Sequence, residues 1–304
     1  MDPKHLTSIR DLTVQDVAEV FKLSASIKSS PEKYRTTLAG RTLALIFQTP
    51  STGTRVSFEV GMHQLGGQAI VLNASDLAAT GGVGAVDTAK ALSQYIDGIV
   101  ARTKTHAELV ELSRNSEVPV INGLTDLLHP CQALADYFTL SENKGDLRGR
   151  KIAYVGGGGN MCHSLIYGAV KAGMHIAVAT PVGSEPKNII VKSANREASS
   201  AGVTVVLTQD PAAAVQGSDA VYTDRWSPPG VAIDAARAQV LAPYRVSAQL
   251  MSMAKPDAFF MHCLPAARGQ EVSDEVLDGP QSVVFEQARN RLHVQKALLC
   301  MLLK

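Results

Sequence analysis

Short apolar runs alternate with helical patterns along the first half of the chain, and this alternation restricts the fold more than any other feature. The runs occupy residues 43–47, 68–72, 98–101 and 118–123. Each run fits a short buried strand, and the segments between them place apolar residues at helical spacing. Phe58, Met62 and Leu65 are an example, at i, i+4 and i+7. Strands that alternate with helices predict a parallel sheet flanked by helices.

A second alternating series follows a polar, glycine-containing junction at residues 145–150. Its apolar runs are predicted strands, and they occupy residues 151–155, 175–179, 204–207, 220–222 and 258–261. A helical pattern over residues 286–303 ends the chain. The sequence therefore predicts an α/β fold with two domains, residues 1–145 and 146–304, each a parallel sheet flanked by helices.

Composition restricts the partners of this protein. The 304 residues include 29 lysines and arginines against 28 aspartates and glutamates, so no basic excess favours nucleic acid or a membrane surface. No apolar run approaches the ~18 residues that span a bilayer, and the N-terminus lacks the apolar core of a signal peptide. The four cysteines lie far apart and form no CxxC pair. We therefore expect a cytoplasmic protein without structural zinc.

A loop of small hydroxyl residues joins the first strand to a helix. Residues 48–57 contain Ser51, Thr52, Gly53 and Thr54, followed by Arg55. Free backbone N–H groups, hydroxyls and the positive end of a helix meet there, an arrangement that favours an anion, most naturally a phosphate. A plain strand-to-helix turn with a Ser or Thr N-cap explains the same residues, because such caps are common.

Four consecutive glycines, residues 156–159, follow a predicted strand and precede a helix. A dinucleotide-binding fingerprint is the first hypothesis, but it fails twice. Met161 occupies the position of its third glycine, and the next strand ends at Thr180-Pro181 without a carboxylate for a ribose. The turn fits better with a close approach of the backbone to a small ligand, with Asn160 as a polar contact.

Three further segments place polar side chains just after predicted strands, where open α/β sheets bind ligands. His129 and Gln132 are three residues apart at a predicted helix start, so both fit one ligand, although a surface histidine beside a helix cap is the simpler alternative. Cys263 fits a nucleophile, a hydrogen-bonding group or a small buried apolar residue. Asp224 fits a partner for a substrate ammonium or for the neighbouring Arg225. The sequence leaves these alternatives open.

The order and spacing of these segments resemble those of the aspartate/ornithine carbamoyltransferases over essentially the whole chain, on the ornithine side of that family. The likeness rests on Ser51-Thr52, Thr54-Arg55, Ser57-Phe58-Glu59, residues 121–126 leading into His129-Pro130-Cys131-Gln132, His262-Cys263-Leu264-Pro265, and residues 290–297.

The resemblance implies a carbamoyl-phosphate-binding first domain, an amino-acid-binding second domain and a C-terminal helix that packs back on the first. It implies a homotrimer that needs no metal or organic cofactor. The implied catalytic residues are Arg102, His129 and Cys263. The implied carbamoyl phosphate contacts are Ser51, Thr52, Gly53, Thr54, Arg55, Arg102, His129, Gln132, Cys263, Leu264 and Arg291. The implied contacts to the amine substrate are Asn160, Asp224, Pro228 and Pro229.

The departures from the family pattern lie among these site residues. Gly53 stands where the family has a phosphate-binding arginine, and Gly157 stands where it has an aspartate. Pro228 and Pro229 replace a Ser-Met pair that contacts the substrate. Proline has no N–H and fixes φ, so this loop loses a backbone donor and flexibility.

Three hypotheses follow from the departures. The protein carbamoylates ornithine with weaker phosphate binding, or it carbamoylates a different amine in a specialised pathway, or it is a silent paralogue with a structural or regulatory role. Because Arg102, His129, Gln132, Cys263 and Arg291 are all retained, the silent alternative is disfavoured.

Overall fold

The computed structural model describes residues 4–73, 84–228 and 231–304. The chain forms two compact units, one made of residues up to Phe138 together with Asn290–Lys304, the other of Thr139–Arg289. Each unit contains one parallel sheet with helices packed against it. The predicted fold class is therefore confirmed.

The sheet of the first unit has four parallel strands in the order β2-β1-β3-β4. The strands are β1 (Thr42–Phe47), β2 (Gln68–Asn73), β3 (Gly98–Arg102) and β4 (Val120–Leu124). Its helices are α1 (Val14–Ser29), α2 (Thr52–Gln64), α3 (Ala85–Leu92), α4 (His106–Asn115) and the part of α5 (Pro130–Lys144) up to Phe138. β1 and β3 are buried along nearly their whole length, as a parallel sheet covered by helices requires.

Local sequence accounts for the start of α1 and for the buried face of α2. Thr13 begins α1 with a capping box, in which its Oγ1 accepts the Asp16 N–H at 3.0 Å and Asp16 Oδ2 accepts the Thr13 N–H at 2.9 Å. In α2, Phe58 and Met62 are fully buried, as their spacing predicted. Apolar spacing and short polar caps therefore set both the buried face of α2 and the start of α1.

The sheet of the second unit has five parallel strands in the order β7-β6-β5-β8-β9. The strands are β5 (Lys151–Val155), β6 (His175–Ala179), β7 (Val205–Thr208), β8 (Ala220–Thr223) and β9 (Phe259–His262). Its helices are α6 (Asn160–Ala172), α7 (Asn188–Ala201), α8 (Pro211–Val215), α9 (Ala235–Leu241), α10 (Ala248–Met251) and α11 (Asp274–Leu277). The described part of the chain also contains three short 3₁₀ helices. Two are in the first unit, at Ile9–Asp11 and Pro31–Tyr34, and one is in the second, at Ala242–Tyr244.

The long C-terminal helix α12 (Val284–Leu303) belongs to the first unit from Asn290 onward. Lys28 Nζ donates to Asn290 Oδ1 at 2.9 Å, and Lys296 Nζ donates to Gln64 Oε1 at 2.9 Å. These bonds join α12 to α1 and α2. The predicted return of the last helix to the first unit is therefore confirmed.

The strand register brings the functional segments of the first unit to one edge of its sheet. Phe47, at the end of β1, lies opposite Arg102 at the end of β3, and the Gln48 N–H donates to the Arg102 carbonyl at 2.9 Å. The loop after β1 and the side chain of Arg102 therefore leave the sheet side by side. Among the described residues, no helix is long and apolar enough to cross a bilayer.

Candidate functional site

The hydroxyl loop after β1 forms the start of α2. Ser51 is the N-cap, and its Oγ accepts the Thr54 N–H at 3.3 Å and bonds Thr54 Oγ1 at 2.9 Å. The N-cap alternative is thus confirmed for Ser51, and it leaves the positive end of the helix available to an anion. Arg102 reaches the same loop, because its Nε donates to Thr49 Oγ1 at 2.9 Å.

Arg291 of α12 connects this loop to α5. Its Nη2 donates to Thr54 Oγ1, and its Nη1 donates to Gln132 Oε1 at 3.1 Å. Gln132 in turn donates from Nε2 to Asp136 Oδ1 at 2.9 Å, which fixes the orientation of its amide. The structure therefore brings together Ser51, Thr54, Gln132 and Arg291, which sequence reasoning placed on separate segments.

His129 precedes α5 and is buried, with a relative exposure of 6%. The alternative of a surface histidine is therefore wrong, because α5 begins inside the first unit and not at its surface. Burial, and then the Arg291 and Arg102 guanidinium groups, hold the pKa of His129 well below its ordinary value. His129 is thus a neutral imidazole at physiological pH, and its N–H can polarise a carbonyl oxygen without adding charge.

The remaining loop residues have different surroundings. Thr52 and Gly53 are exposed on the first turn of α2, and Arg55 forms a half-exposed ion pair with Glu59, with Nε 3.5 Å from Oε1. A methyl group added at Gly53 would lie 3.6 Å from Arg291 Nη1. Position 53 is therefore next to the Arg291 guanidinium and has room for a side chain.

In the second unit, the four-glycine turn joins β5 to α6. Gly156 has φ +144°, which side chains rarely adopt, and a methyl group at Gly158 would lie 2.2 Å from the backbone nitrogen of Pro186. The close approach at Gly158 is therefore to the protein's own backbone and not to a ligand. The turn carries Asn160 at the start of α6 and is braced by Tyr154, whose hydroxyl donates to the Gly157 carbonyl at 2.6 Å.

Asp224 and Cys263 meet after the neighbouring strands β8 and β9. Cys263 Sγ donates to Asp224 Oδ1 at 3.0 Å, and the same oxygen accepts the Arg225 backbone N–H at 2.7 Å. The Arg225 side chain does not pair with Asp224, because its Nε donates to the Ser227 carbonyl at 2.9 Å. Cys263 is half-buried and bonded to a carboxylate, so the alternative of a buried apolar residue is wrong.

The turn after β9 lies beside a buried pair, His262 and Glu271, which sequence reasoning missed. His262 Nδ1 accepts the Leu264 N–H at 2.9 Å, and His262 Nε2 lies 3.4 Å from Glu271 Oε1, with both side chains fully buried. Because Nδ1 accepts this bond, the ring is oriented so that Nε2 faces Glu271. The pair fixes the backbone at Leu264, which has φ +50°.

The proline loop is described only in part. Pro228 is exposed, and its carbonyl accepts the Val231 N–H at 3.1 Å. Pro229 lies outside the described residues, as does most of the glycine-rich segment 77–86 that the sequence predicted to be a surface loop. No group of three or more potential metal ligands occurs in the described ranges.

Comparison with known proteins assigns both units to one family. Residues 4–142 match the carbamoyl-phosphate-binding domain, and residues 148–302 match the Asp/Orn-binding domain, of aspartate/ornithine carbamoyltransferase. The chain belongs to the aspartate/ornithine carbamoyltransferase family. The resemblance inferred from the sequence is thus confirmed.

Members of this family are similar to the chain over nearly their full length. It is 50% identical over 299 residues to an ornithine carbamoyltransferase of Carboxydothermus hydrogenoformans, covering 97% of this chain and 96% of that protein. It is 48% identical over 292 residues to an anabolic ornithine carbamoyltransferase of Pyrococcus furiosus, covering 96% of this chain and 91% of that protein. The solved ornithine carbamoyltransferase of Pyrococcus furiosus superposes with a TM-score of 0.95 at 45% identity, covering 98% of this chain and 96% of that one.

Proposed function

We propose that this carbamoyltransferase-family enzyme transfers a carbamoyl group from carbamoyl phosphate to the side-chain amine of ornithine or a related diamino acid. The products are a ureido amino acid, citrulline if the acceptor is ornithine, and phosphate. The observation that carries the proposal is the set of donors at the start of α2, where Arg291 joins Thr54 to Gln132 beside the neutral His129.

The first unit supplies the contacts to carbamoyl phosphate. The phosphate lies at the N-terminus of α2, within reach of the loop hydroxyls and Arg291, where backbone N–H groups and the helix dipole favour an anion. Arg102 and His129 donate to the carbamoyl oxygen, and Gln132 orients the carbamoyl group. The proposed set is Ser51, Thr52, Gly53, Thr54, Arg55, Arg102, His129, Gln132 and Arg291, with Cys263 and Leu264 from the second unit.

The second unit supplies the contacts to the acceptor. Asp224, with Asn160 and the proline loop at Pro228 and Pro229, holds the amino-acid end. The Cys263 S–H donates to Asp224 Oδ1, so the sulfur lone pairs can accept a weak hydrogen bond from the neutral side-chain amine. That contact helps to keep the amine deprotonated and nucleophilic.

The reaction then follows from charge development. The amine lone pair forms an N–C bond to the carbamoyl carbon, and the carbonyl oxygen becomes an oxyanion that Arg102 and His129 stabilise. Preorganised donors of this kind typically contribute about 3–4 kcal/mol each to lowering the barrier. The oxyanion re-forms the C=O bond, the C–O bond to phosphate breaks, phosphate leaves with the electron pair, and the extra proton on nitrogen passes to the departing phosphate. No step in this scheme requires a metal or an organic cofactor.

Several properties of the whole protein belong to the same proposal. Residues 1–145 form the carbamoyl phosphate domain, and residues 146–304 form the amino-acid domain with the crossover helix. The active form is a cytoplasmic homotrimer that acts in arginine biosynthesis, which the similarity to an anabolic relative supports. Size-exclusion chromatography with light scattering tests the trimer.

The deciding experiment measures ureido product and phosphate from carbamoyl phosphate with a panel of amines. The panel contains ornithine, 2,4-diaminobutyrate, 2,3-diaminopropionate, lysine, N-acetylornithine and putrescine. We expect citrulline from ornithine. Turnover only with another amine would identify that amine as the acceptor. The altered proline loop favours this outcome. Absence of turnover, together with absence of carbamoyl phosphate binding by calorimetry, would leave the silent paralogue as the remaining hypothesis.

A further inference from the structure

The strand β7 lies at the edge of the second sheet, and among the described residues its free edge has no backbone partner. The outer edges of β4 and β9 are covered in comparison. The Leu6 N–H donates to the Val120 carbonyl at 2.8 Å, and the Phe260 N–H donates to the Gln281 carbonyl at 2.8 Å. An uncovered edge presents unpaired N–H and C=O groups to any strand that reaches it.

The register of β7 shows which of its backbone groups face outward. The Thr204 carbonyl accepts the Ile176 N–H at 2.9 Å and therefore points towards β6. Backbone direction alternates along a strand, so the N–H and C=O groups of Val205 and Leu207 point away from β6. Each of these two residues has one donor and one acceptor, and both kinds of group are thus open to a further strand.

The side chains along this edge are apolar and uncharged. Val206 and Leu207 are exposed to 49% and 43%. Residues 203–208 contain no charged residue, proline or glycine, and five of these six residues are β-branched, which favours an extended strand. Soluble proteins usually protect a free edge with a charged side chain, a proline or a bulge. This segment has none of these, so it is suited to pairing.

A groove beside β7 leaves room for a second side chain next to Val206. It has a volume of about 480 Å³, and small side chains form much of its wall, among them Thr204, Thr208, Ala177 and Ala213. Within the described residues no carboxylate lines it. A valine from another strand can therefore pack against Val206 without displacing a large side chain or burying an acidic group.

The order of residue types in β7 is the same in both directions. Residues 204–208 are Thr-Val-Val-Leu-Thr, so a two-fold axis through Val206 places apolar residues opposite apolar residues and threonine opposite threonine. Antiparallel pairing about that axis sets Val205 opposite Leu207 of the second copy, as a pair that exchanges two hydrogen bonds. Symmetry adds the same pair again, and all the outward N–H and C=O groups of Val205 and Leu207 are then used.

We propose that β7 pairs antiparallel with β7 of a second copy of this chain, which joins two five-stranded sheets into one continuous sheet. The symmetry about Val206 is what a two-fold contact between identical chains requires, whereas an unrelated strand gains nothing from it. β7 contains none of the residues proposed to bind carbamoyl phosphate or the acceptor. The contact is small, so it belongs to the weak and reversible class of interfaces.

A cysteine at position 206 tests the pairing and its register together. The two copies of position 206 face each other as a non-hydrogen-bonded pair, with Cα atoms about 4.5 Å apart, which a disulfide can span. The two copies of position 207 are about 8 Å apart, which is too far. With copper phenanthroline as oxidant, Val206→Cys should give a covalent dimer on a non-reducing gel, and Leu207→Cys should give about tenfold less.

A mixed sample checks the register a second time. Position 205 of one copy lies opposite position 207 of the other, with Cα atoms about 5.5 Å apart. An equal mixture of Val205→Cys and Leu207→Cys should therefore cross-link, although neither variant does so alone. The wild type is the control for the native cysteines, of which Cys263 is half-buried and the other three are buried.

Light scattering of the full-length protein measures the association without a cross-link. We expect the weight-average mass to rise by up to about twofold between about 1 and 200 µM protein, whatever the oligomer at the low concentration. Val206→Lys sets like charges opposite each other and should abolish the rise. Ile189→Lys is the matched control, because Ile189 is an apolar residue of α7 with 73% exposure. Circular dichroism verifies that both variants are folded.

The outcomes decide the proposal without reference to turnover, so a failed transfer assay would leave them unaffected. Equal cross-linking of Val206→Cys and Leu207→Cys would indicate random collision and overturn the pairing. A constant mass of the wild type, together with no disulfide at position 206, would overturn it as well and leave the edge to a strand of another protein. A rise in mass that Val206→Lys does not reduce would place the contact on another surface.

Discussion

The proposed phosphate contacts of the first unit form one network of side chains, whereas the proposed acceptor contacts of the second unit include a carboxylate oriented by a backbone N–H and an exposed proline. Arg291 bonds Thr54 and Gln132, and Ser51 bonds Thr54, so four side chains form one network. In the second unit, Asp224 Oδ1 accepts the Arg225 backbone N–H and the Cys263 thiol, and Pro228 is exposed.

This difference matches the two chemical tasks. A phosphate and a developing oxyanion have fixed geometry, so donors that are already oriented stabilise them at little further cost. An acceptor amino acid varies in length and substitution, and a site on turns and exposed side chains can change with it. On the proposed function, the first unit therefore determines the reaction and the second unit determines the acceptor.

The largest effect is expected from Arg291→Ala, which breaks the network of the first unit. Loss of an arginine that bonds two partners and a phosphate should lower kcat/KM by about 10²–10³-fold. The measurement is steady-state kinetics with carbamoyl phosphate varied. Arg289→Ala is the control, since Arg289 is exposed on the same helix. A loss below tenfold for Arg291→Ala would mean that the network is structural.

A gain is expected from Gly53→Arg, because position 53 has room beside Arg291. A second guanidinium there should lower the KM for carbamoyl phosphate by about 10–100-fold, as one added charge-assisted phosphate contact would. Gly53→Gln adds a side chain without the charge and should leave KM within about threefold. Equal KM values for the two variants would show that the phosphate lies elsewhere.

His129 should make stability depend on pH. Its pKa is lowered in the folded protein, so the unfolded chain binds the proton first, and stability is lost as pH falls below about 6.5. Between pH 7.5 and 5.5 this loss amounts to about 1.4 kcal/mol in the free energy of unfolding. His129→Gln should lack that part of the loss.

Urea unfolding followed by circular dichroism at both pH values measures the difference. Trp226 fluorescence follows the second unit separately, so the comparison shows which unit carries the pH effect. Identical pH dependence in wild type and His129→Gln would mean that His129 titrates normally in the folded protein.

The smallest effect is expected from Pro228→Ser, at an exposed position of the second unit. Serine restores a hydroxyl and a backbone N–H, and one hydrogen bond is typically worth about 0.5–1 kcal/mol, so the acceptor KM should change by about two- to fivefold while the KM for carbamoyl phosphate stays constant. Pro256→Ser, at an exposed position before β9, is the control. A larger change in the carbamoyl phosphate KM would contradict the division of tasks between the units.

The sequence predicted most of the fold because its signals are local. Apolar runs marked the strands, and the caps at Thr13 and Ser51 lie within three residues of their partners. The burial of His129 was not predictable, because a helix-start pattern does not say which elements cover it.

The contacts that complete the site join residues far apart in the chain. Arg291 and Thr54 are separated by 237 positions, and Cys263 meets Asp224 across 39 positions because β8 and β9 are neighbours in the sheet. Glu271 was missed for a related reason, since no spacing rule connects a carboxylate in a loop to a histidine at a strand end. Family resemblance supplied Arg291, whereas geometry alone supplied Glu271.

The return of α12 to the first unit has a consequence for synthesis of the protein. Residues 139–289 leave the ribosome before Asn290–Lys304. Arg291 can therefore reach Thr54 only after the whole second unit has been synthesised. A nascent chain can form the sheet of the first unit early, yet the proposed phosphate site is not complete until translation has passed residue 291. If phosphate binds where we propose, its binding reports that synthesis has passed Arg291.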